Sequence, residues 1–206
     1  MAAIFGIIGA VSAHELDEMG RRLEHRGGVP TWSEVAQGVY LGQVATALQA
    51  PSIEGKFSLV VDAPEGLVPG STQRIVEALL HSSAAEDLDE RLSFPFALAA
   101  WDDADQELIL ARDFLGLKPL HICALASGGV AFATEYKALL AIHQVTARAD
   151  PDAVRCLQMY KAMPSGRTLL ADVVPVPPGS VLRLRRDGSI AREERMPDIR
   201  LVVDPM

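Results

Sequence analysis

From Phe94 to Ala133 the chain reads as four apolar runs joined by links too short for anything but reversal. The runs are Phe94 to Trp101, Leu108 to Ala111, Leu120 to Ala126 and Val130 to Ala133. The links are turn-forming: Asp102-Asp103-Ala104-Asp105, a bend at Gly116, and Ser127-Gly128-Gly129. Strands joined this closely pair antiparallel, because a parallel neighbour needs a crossover of about a dozen residues. This stretch therefore fixes an antiparallel sheet as the centre of the fold.

The flanking sequence adds strands and helices to it. The apolar start, Met1 to Ala10, reads as a buried first strand. A signal peptide would need a basic leading segment and more length. Residues 38–48 and 56–62 read as strands, and Val181 to Leu184 and Ser189 to Arg192 flank a hairpin turn at Arg186-Asp187-Gly188. Ser12 and Glu15 form a capping box for a helix with Leu16, Met19 and Leu23 on one face, stopping near His25-Arg26-Gly27-Gly28. Breaks at Pro64, Gly66, Pro69 and Gly70 precede a helix carrying Ile75, Val76, Leu79 and Leu80. A second capping box, Ser83 and Glu86, opens a short helix ending near Leu92. Thr134 is placed to cap a helix with Tyr136, Leu139, Leu140 and His143. Asp150 before Pro151 starts the last helix, with Val154 and Leu157 inward. Helices gathered in pairs around antiparallel strands make an α+β pattern.

Composition excludes several classes. At 206 residues with 49% hydrophobic and 22% charged side chains, the chain buries a core and is not disordered. It reads as one domain over 1–206, with 193–206 as a C-terminal tail. The net charge of −8 argues against nonspecific binding to nucleic acid or anionic lipid. No run reaches the length of a membrane helix. The two cysteines, Cys123 and Cys156, have neither disulfide-framework nor zinc spacing, and a reducing cytoplasm is the expected setting. His14, His81, His121 and His143 lie at no metal-ligand spacing, so no metal and no cofactor are expected.

Six segments, in order, resemble the N-terminal glutaminase domain of asparagine synthetases, a class II glutamine amidotransferase domain. They are Ile4-Phe5-Gly6-Ile7-Ile8-Gly9, Met19 through His25-Arg26-Gly27, Phe96 to Asp102, Leu110 to Leu120, Phe132 to Leu140 and Pro177-Pro178-Gly179. The block Leu110 to Leu120, with Arg112-Asp113 and Gly116-Leu117-Lys118-Pro119, is the most specific. The resemblance implies an N-terminal-nucleophile hydrolase fold: a four-layer αββα sandwich of two antiparallel sheets between helix layers.

It also implies a chemistry whose parts are missing. In that family an N-terminal cysteine attacks the glutamine amide. The matching position here is Ala2, whose methyl group has no lone pair. Losing the nucleophile of a coordinated catalytic set costs on the order of a million-fold in turnover. The family's arginine clamp for the substrate carboxylate falls in Gln43-Val44-Ala45-Thr46, which contains no guanidinium. Its Asn-Gly-Glu aligns with Asp62-Ala63-Pro64, placing a carboxylate where an oxyanion would form and a proline where an amide donor is needed. The aspartate that receives the substrate ammonium falls at Thr72.

Single features carry alternatives. His25 and Arg26 read either as pocket residues or as a basic pair favoured at a helix C-terminus. Arg112-Asp113 reads as an internal ion pair or turn contact before a catalytic pair. Ser127-Gly128-Gly129-Val130 resembles the start of a pyrophosphate loop, but two strands flank it, and a hairpin turn is the better reading. The expected function is a non-catalytic glutaminase-like domain. It would act as structural or regulatory partner of a separate ATP-dependent, amide-forming synthetase, or as a homodimer. The alternatives are a sensor that binds a small polar ligand in a remodelled pocket around Ala2, His25, Arg26, Gln43, Asp62 and Thr72, and an asparagine synthetase-related amidotransferase with residual activity.

Overall fold

A computed structural model of the chain describes residues 2–45, 52–63, 71–80, 84–92 and 94–197. Its strands form two antiparallel sheets. The first runs in the order β10 (Val173–Pro175), β8 (His121–Ala124), β9 (Val130–Ala133), β1 (Ala3–Ile8), β3 (Val39–Ala45), β2 (Val29–Ala36). The second runs β12 (Ile190–Arg195), β11 (Ser180–Leu184), β7 (Glu107–Arg112), β6 (Ala97–Asp102), β5 (Phe57–Asp62), β4 (Ser52–Glu54). Of the antiparallel pairs expected from the short links, β6–β7 and β8–β9 form as hairpins, but the two pairs lie in different sheets, because the bend at Gly116 passes the chain from one sheet to the other.

Every residue of β1 is buried, which is why its sequence is a continuous apolar run and not an alternation. Alternate side chains serve different layers. Ile4 and Ile8 face the second sheet, packing with Val60, Ala99, Trp101, Leu108 and Leu182. Phe5 and Ile7 face outward, under Leu16 and Met19 of α1 (Ala13–Arg21), Leu23 just after it, and Leu139 of α4 (Tyr136–Leu139). On the far side α2 (Ser71–Leu80) and α3 (Ala84–Arg91) lay Ile75, Leu79 and Leu88 over Phe57, Leu59 and Leu98. Three apolar cores between four layers, two of helices and two of sheet, make the αββα sandwich. Gly42 is required in it: a Cβ there would meet the Phe5 ring at 2.4 Å. Arg186, in the β11–β12 turn, bridges the two sheets by donating to the Gln37 carbonyl at 2.7 Å while lying 4.9 Å from the Trp101 ring centre.

The Ser12–Glu15 capping box forms as the sequence predicts, and Asp150 caps α5 (Pro151–Tyr160). Four expectations are corrected. Thr134 does not cap α4. Its hydroxyl instead accepts from the Ile4 amide at 2.8 Å and donates to the Ile4 carbonyl at 3.2 Å, because β1 outruns the pairing of β9 there and its buried backbone needs a partner. Val154 and Leu157 are only half-buried; Ala153 is the inward residue of α5. The tail expected from 193 is corrected at its start, since Glu193, Glu194 and Arg195 complete β12 against β11. Strands β2, β4 and β10 were not legible as strands. The capping serine Ser83 and residues 46–48 of the third strand lie outside the described residues, as do 198–206.

Candidate functional site

The block Arg112 to Pro119 builds the first part of the site. Arg112, at the end of β7, turns its guanidinium onto three backbone carbonyls: Gly116 at 2.7 Å, Lys118 at 2.7 Å and Val176 at 2.8 Å. Asp113 accepts the amides of Leu117 and Lys118, both at 2.9 Å. Gly116 makes the bend with φ +64°, a conformation L side chains avoid. The turn-contact reading of Arg112 and Asp113 is therefore what the structure shows. Their effect is to fix the backbone of Lys118 on both sides.

That fixed lysine points its ammonium at Asp62, 2.7 Å from Oδ1. Asp62 ends β5 and is fully buried, and Lys118 is nearly so. Among the described residues Asp62 Oδ2 has no hydrogen-bond partner. Burial pushes the Asp62 carboxyl above its ordinary range, against the opposing pull of Lys118 and of Arg26.

Arg26 links this pair to a second cluster. In the 3-10 turn Glu24–Arg26, it donates through Nε to Glu135 Oε1 at 2.6 Å. His25 Nε2 meets the same oxygen at 2.9 Å, and Lys137 Nζ lies 3.3 Å from Glu135 Oε2. Burial works against ionisation of Glu135, and the Arg26, His25 and Lys137 contacts outweigh it, holding the carboxyl below its usual range. Beyond Glu135 opens a cavity of about 230 Å³ lined by Pro119, His121, Thr134, Glu135, Tyr136 and Lys137. The His121 ring stands edge-on to Tyr136 at 5.4 Å and donates from Nδ1 to the Thr134 carbonyl at 3.1 Å. Burial lowers its pKa, favouring the neutral ring.

Of the residues singled out from sequence, the structure brings His25, Arg26 and Asp62 into one electrostatic neighbourhood. Ala2 stands partly buried just ahead of β1. Gln43 is buried on β3, opposite Ile4. Thr72 lies in the first turn of α2, and its side chain is outside the described residues. Lys118, Glu135, Lys137 and His121 were missed as site residues. The first three sit in two of the family-like segments, Leu110 to Leu120 and Phe132 to Leu140, so the signal was present, but only the fold shows that those segments face each other. Cys123 is buried on β8 with its thiol pushed up by burial, and Cys156 is on α5. Neither belongs to these clusters. Among the described residues no group of three His, Cys, Asp or Glu side chains could hold a metal, and no helix is long and apolar enough to cross a membrane.

Comparisons with known proteins agree on the family. A model described as "Glutamine amidotransferase domain" matches residues 71–194, more than half of the chain. Asparagine synthetase [glutamine-hydrolyzing] 1 of Bacillus subtilis is 34% identical over 105 residues, covering 51% of this chain and 16% of that protein. A putative asparagine synthetase of Mycobacterium tuberculosis is 38% identical over 101 residues, covering 48% of this chain and 15% of that protein. The matched stretch is thus a small part of each relative's length. Among solved structures, a glutamine phosphoribosylpyrophosphate amidotransferase from B. subtilis, complexed with ADP and GMP, superposes with a TM-score of 0.54 at 17% identity, over 94% of this chain and 49% of that one. At that identity the likeness speaks for the fold, an α+β sandwich of the amidotransferase kind. The chain belongs to the glutamine amidotransferase domain family and is related to asparagine synthetases.

Proposed function

We propose that this chain is a non-catalytic glutaminase-like domain that acts as structural or regulatory partner of a separate ATP-dependent, amide-forming enzyme of the asparagine synthetase type. The observation that carries the reading is the buried Asp62–Lys118 ion pair, 2.7 Å long, at the position where the family resemblance calls for oxyanion donors. A hydrolytic site needs donors aimed at the place where negative charge develops. Here that place holds a carboxylate, and its nearest cation is already engaged with it. Ala2, at the nucleophile position, offers a methyl group.

Two further features support a partner role. The three apolar layers of the family fold are present while the family's nucleophile position holds Ala2, and function resides in sites and not in folds. The turn that Arg112 and Asp113 hold rigid also presents Leu115 and Leu117 to solvent, at 64% and 61% exposure. They border an apolar groove of about 330 Å³ lined by Leu92, Phe94, Phe96 and Phe114. A rigid turn displaying apolar side chains beside such a groove suits contact with another protein.

The test is co-expression with an asparagine synthetase-type enzyme from the same source whose own glutaminase domain is absent. A complex that survives gel filtration at micromolar concentration supports the role, and independent elution of the two proteins opposes it. A glutaminase assay on the purified chain separates the non-catalytic half of the reading from the partner half.

A further inference from the structure

We propose that the cavity beyond Glu135 binds a small organic carboxylate, with the acid group on Lys137 at its mouth and the apolar body between Tyr136 and Pro119. The inference uses none of Ala2, Gln43, Asp62 or Thr72, and it stands whether or not the chain hydrolyses glutamine.

Charge selects the ligand's sign. Glu135 is saturated: Arg26 at 2.6 Å, His25 at 2.9 Å and Lys137 at 3.3 Å converge on its two oxygens. It has little left for a cationic ligand. Arg26 and Lys137 against one carboxylate leave a surplus positive charge at the rim. His25 lies between the carboxylate and Lys137, with Nε2 2.9 Å from Glu135 Oε1 and Nδ1 3.2 Å from Lys137 Nζ. An ammonium has three donors. Glu135 and His25 take two, and Lys137 is 45% exposed, so the third is available to an acceptor arriving from solvent.

Size and lining select the rest. A volume of about 230 Å³ is below the span of roughly 300–1,000 Å³ usual for ligand pockets. It suits a single ring or a short branched chain. Pro119, the Tyr136 ring and the half-buried His121 ring form its walls, and such surfaces favour an apolar body. The site is preformed: Thr134 is tied to Ile4, and His121 to the Thr134 carbonyl, before any ligand arrives.

The experiment titrates the full chain with benzoate, benzyl alcohol and benzylamine, three single-ring probes differing in charge, by calorimetry and by amide NMR. Saturable benzoate binding is expected, with shifts confined to residues around His121, Thr134 and Tyr136. The alcohol and the amine should bind about tenfold more weakly, the factor a hydrogen bond to a charged group supplies. Lys137→Gln should weaken benzoate by the same factor while leaving the melting temperature unchanged, and Lys137→Arg should retain most of the affinity. Equal affinity for the three probes, unchanged benzoate binding in Lys137→Gln, shifts mapping elsewhere, or no saturation at millimolar benzoate would each overturn the proposal.

Discussion

The ammonium of Lys118 lies 2.7 Å from a carboxylate oxygen of Asp62, and fifty-six residues of sequence separate the two. Because the aspartate is fully buried, its charge is tolerable only while the lysine answers it. Lys118→Met should destabilise the chain by about 3–5 kcal/mol in urea denaturation at neutral pH, the usual effect of stranding one member of a buried pair. The double change Asp62→Leu with Lys118→Met should cost less than the single one, since replacing both partners by apolar groups is often close to neutral. The deficit of the single variant has a predicted pH dependence. Burial holds the Asp62 carboxyl above 3.8, and losing Lys118 removes an opposing pull. An acid whose folded pKa is raised takes up a proton more readily folded than unfolded. Stability is then lost as pH rises through the folded pKa and regained as pH falls through it. Lys118→Met should therefore approach the parent's stability in acid.

Glu15 behaves in the opposite sense. Burial works against its ionisation. The His143 and Ser12 amides, the Ser12 hydroxyl and the His143 ring prevail, and bring its pKa from 4.5 down to about 2. The His143 ring nitrogen is 2.6 Å from Oε1. A lowered folded pKa contributes stability that is present above pH 4.5 and is lost as pH falls from there toward 2. Glu15→Gln should be less stable than the parent at neutral pH, and the gap should close over that acid window. Urea midpoints measured across it provide the check.

Arg112 serves three carbonyls at once, which only a planar guanidinium does. Arg112→Lys keeps the charge and loses most of that geometry. It should cost about 2–3 kcal/mol, by comparison with other hydrogen bonds to charged groups. Hydrogen exchange should speed up at the Leu117 and Lys118 amides, which the same turn holds. Unchanged exchange there would separate Arg112 from the turn.

Thr134→Val removes the hydroxyl that satisfies the buried Ile4 amide while preserving shape. An orphaned buried donor costs about 1–3 kcal/mol. Thr134→Ser, which keeps the hydroxyl, should recover most of it. Thermal denaturation of the two variants side by side makes the comparison.

These residues also show what could be read without coordinates. Short turn-rich links forced antiparallel pairing for β6–β7 and β8–β9, but the bend at Gly116 carries the chain from one sheet to the other, so the pairing read across it does not form. The Ser12–Glu15 box was legible because both partners lie within one helical turn. Thr134 was misread for the converse reason: a threonine before a helix looks like a cap, and its true partner, Ile4, is 130 positions away. Strand β2 escaped notice because its eight residues are neither continuously apolar nor cleanly alternating; none is fully buried. At the site, the family resemblance singles out Asp62 as a carboxylate at the position of oxyanion donors. Its pairing with Lys118 depends on the link after β7 bringing the lysine to the end of β5, which no periodicity encodes. Arg26 and Glu135 were likewise found in separate motifs, and only the packing of the 3-10 turn against α4 joins them.

The most direct measurement is ammonia release from glutamine by the purified chain and by its Ala2→Cys variant. The non-catalytic reading predicts no release above the uncatalysed background from either protein. A thiol introduced there supplies a nucleophile but not the donors an oxyanion needs, since the family resemblance puts the Asp62 carboxylate where those donors would stand. Turnover of glutamine by the unmodified chain, or a glutamyl thioester trapped on any of its residues, would contradict it.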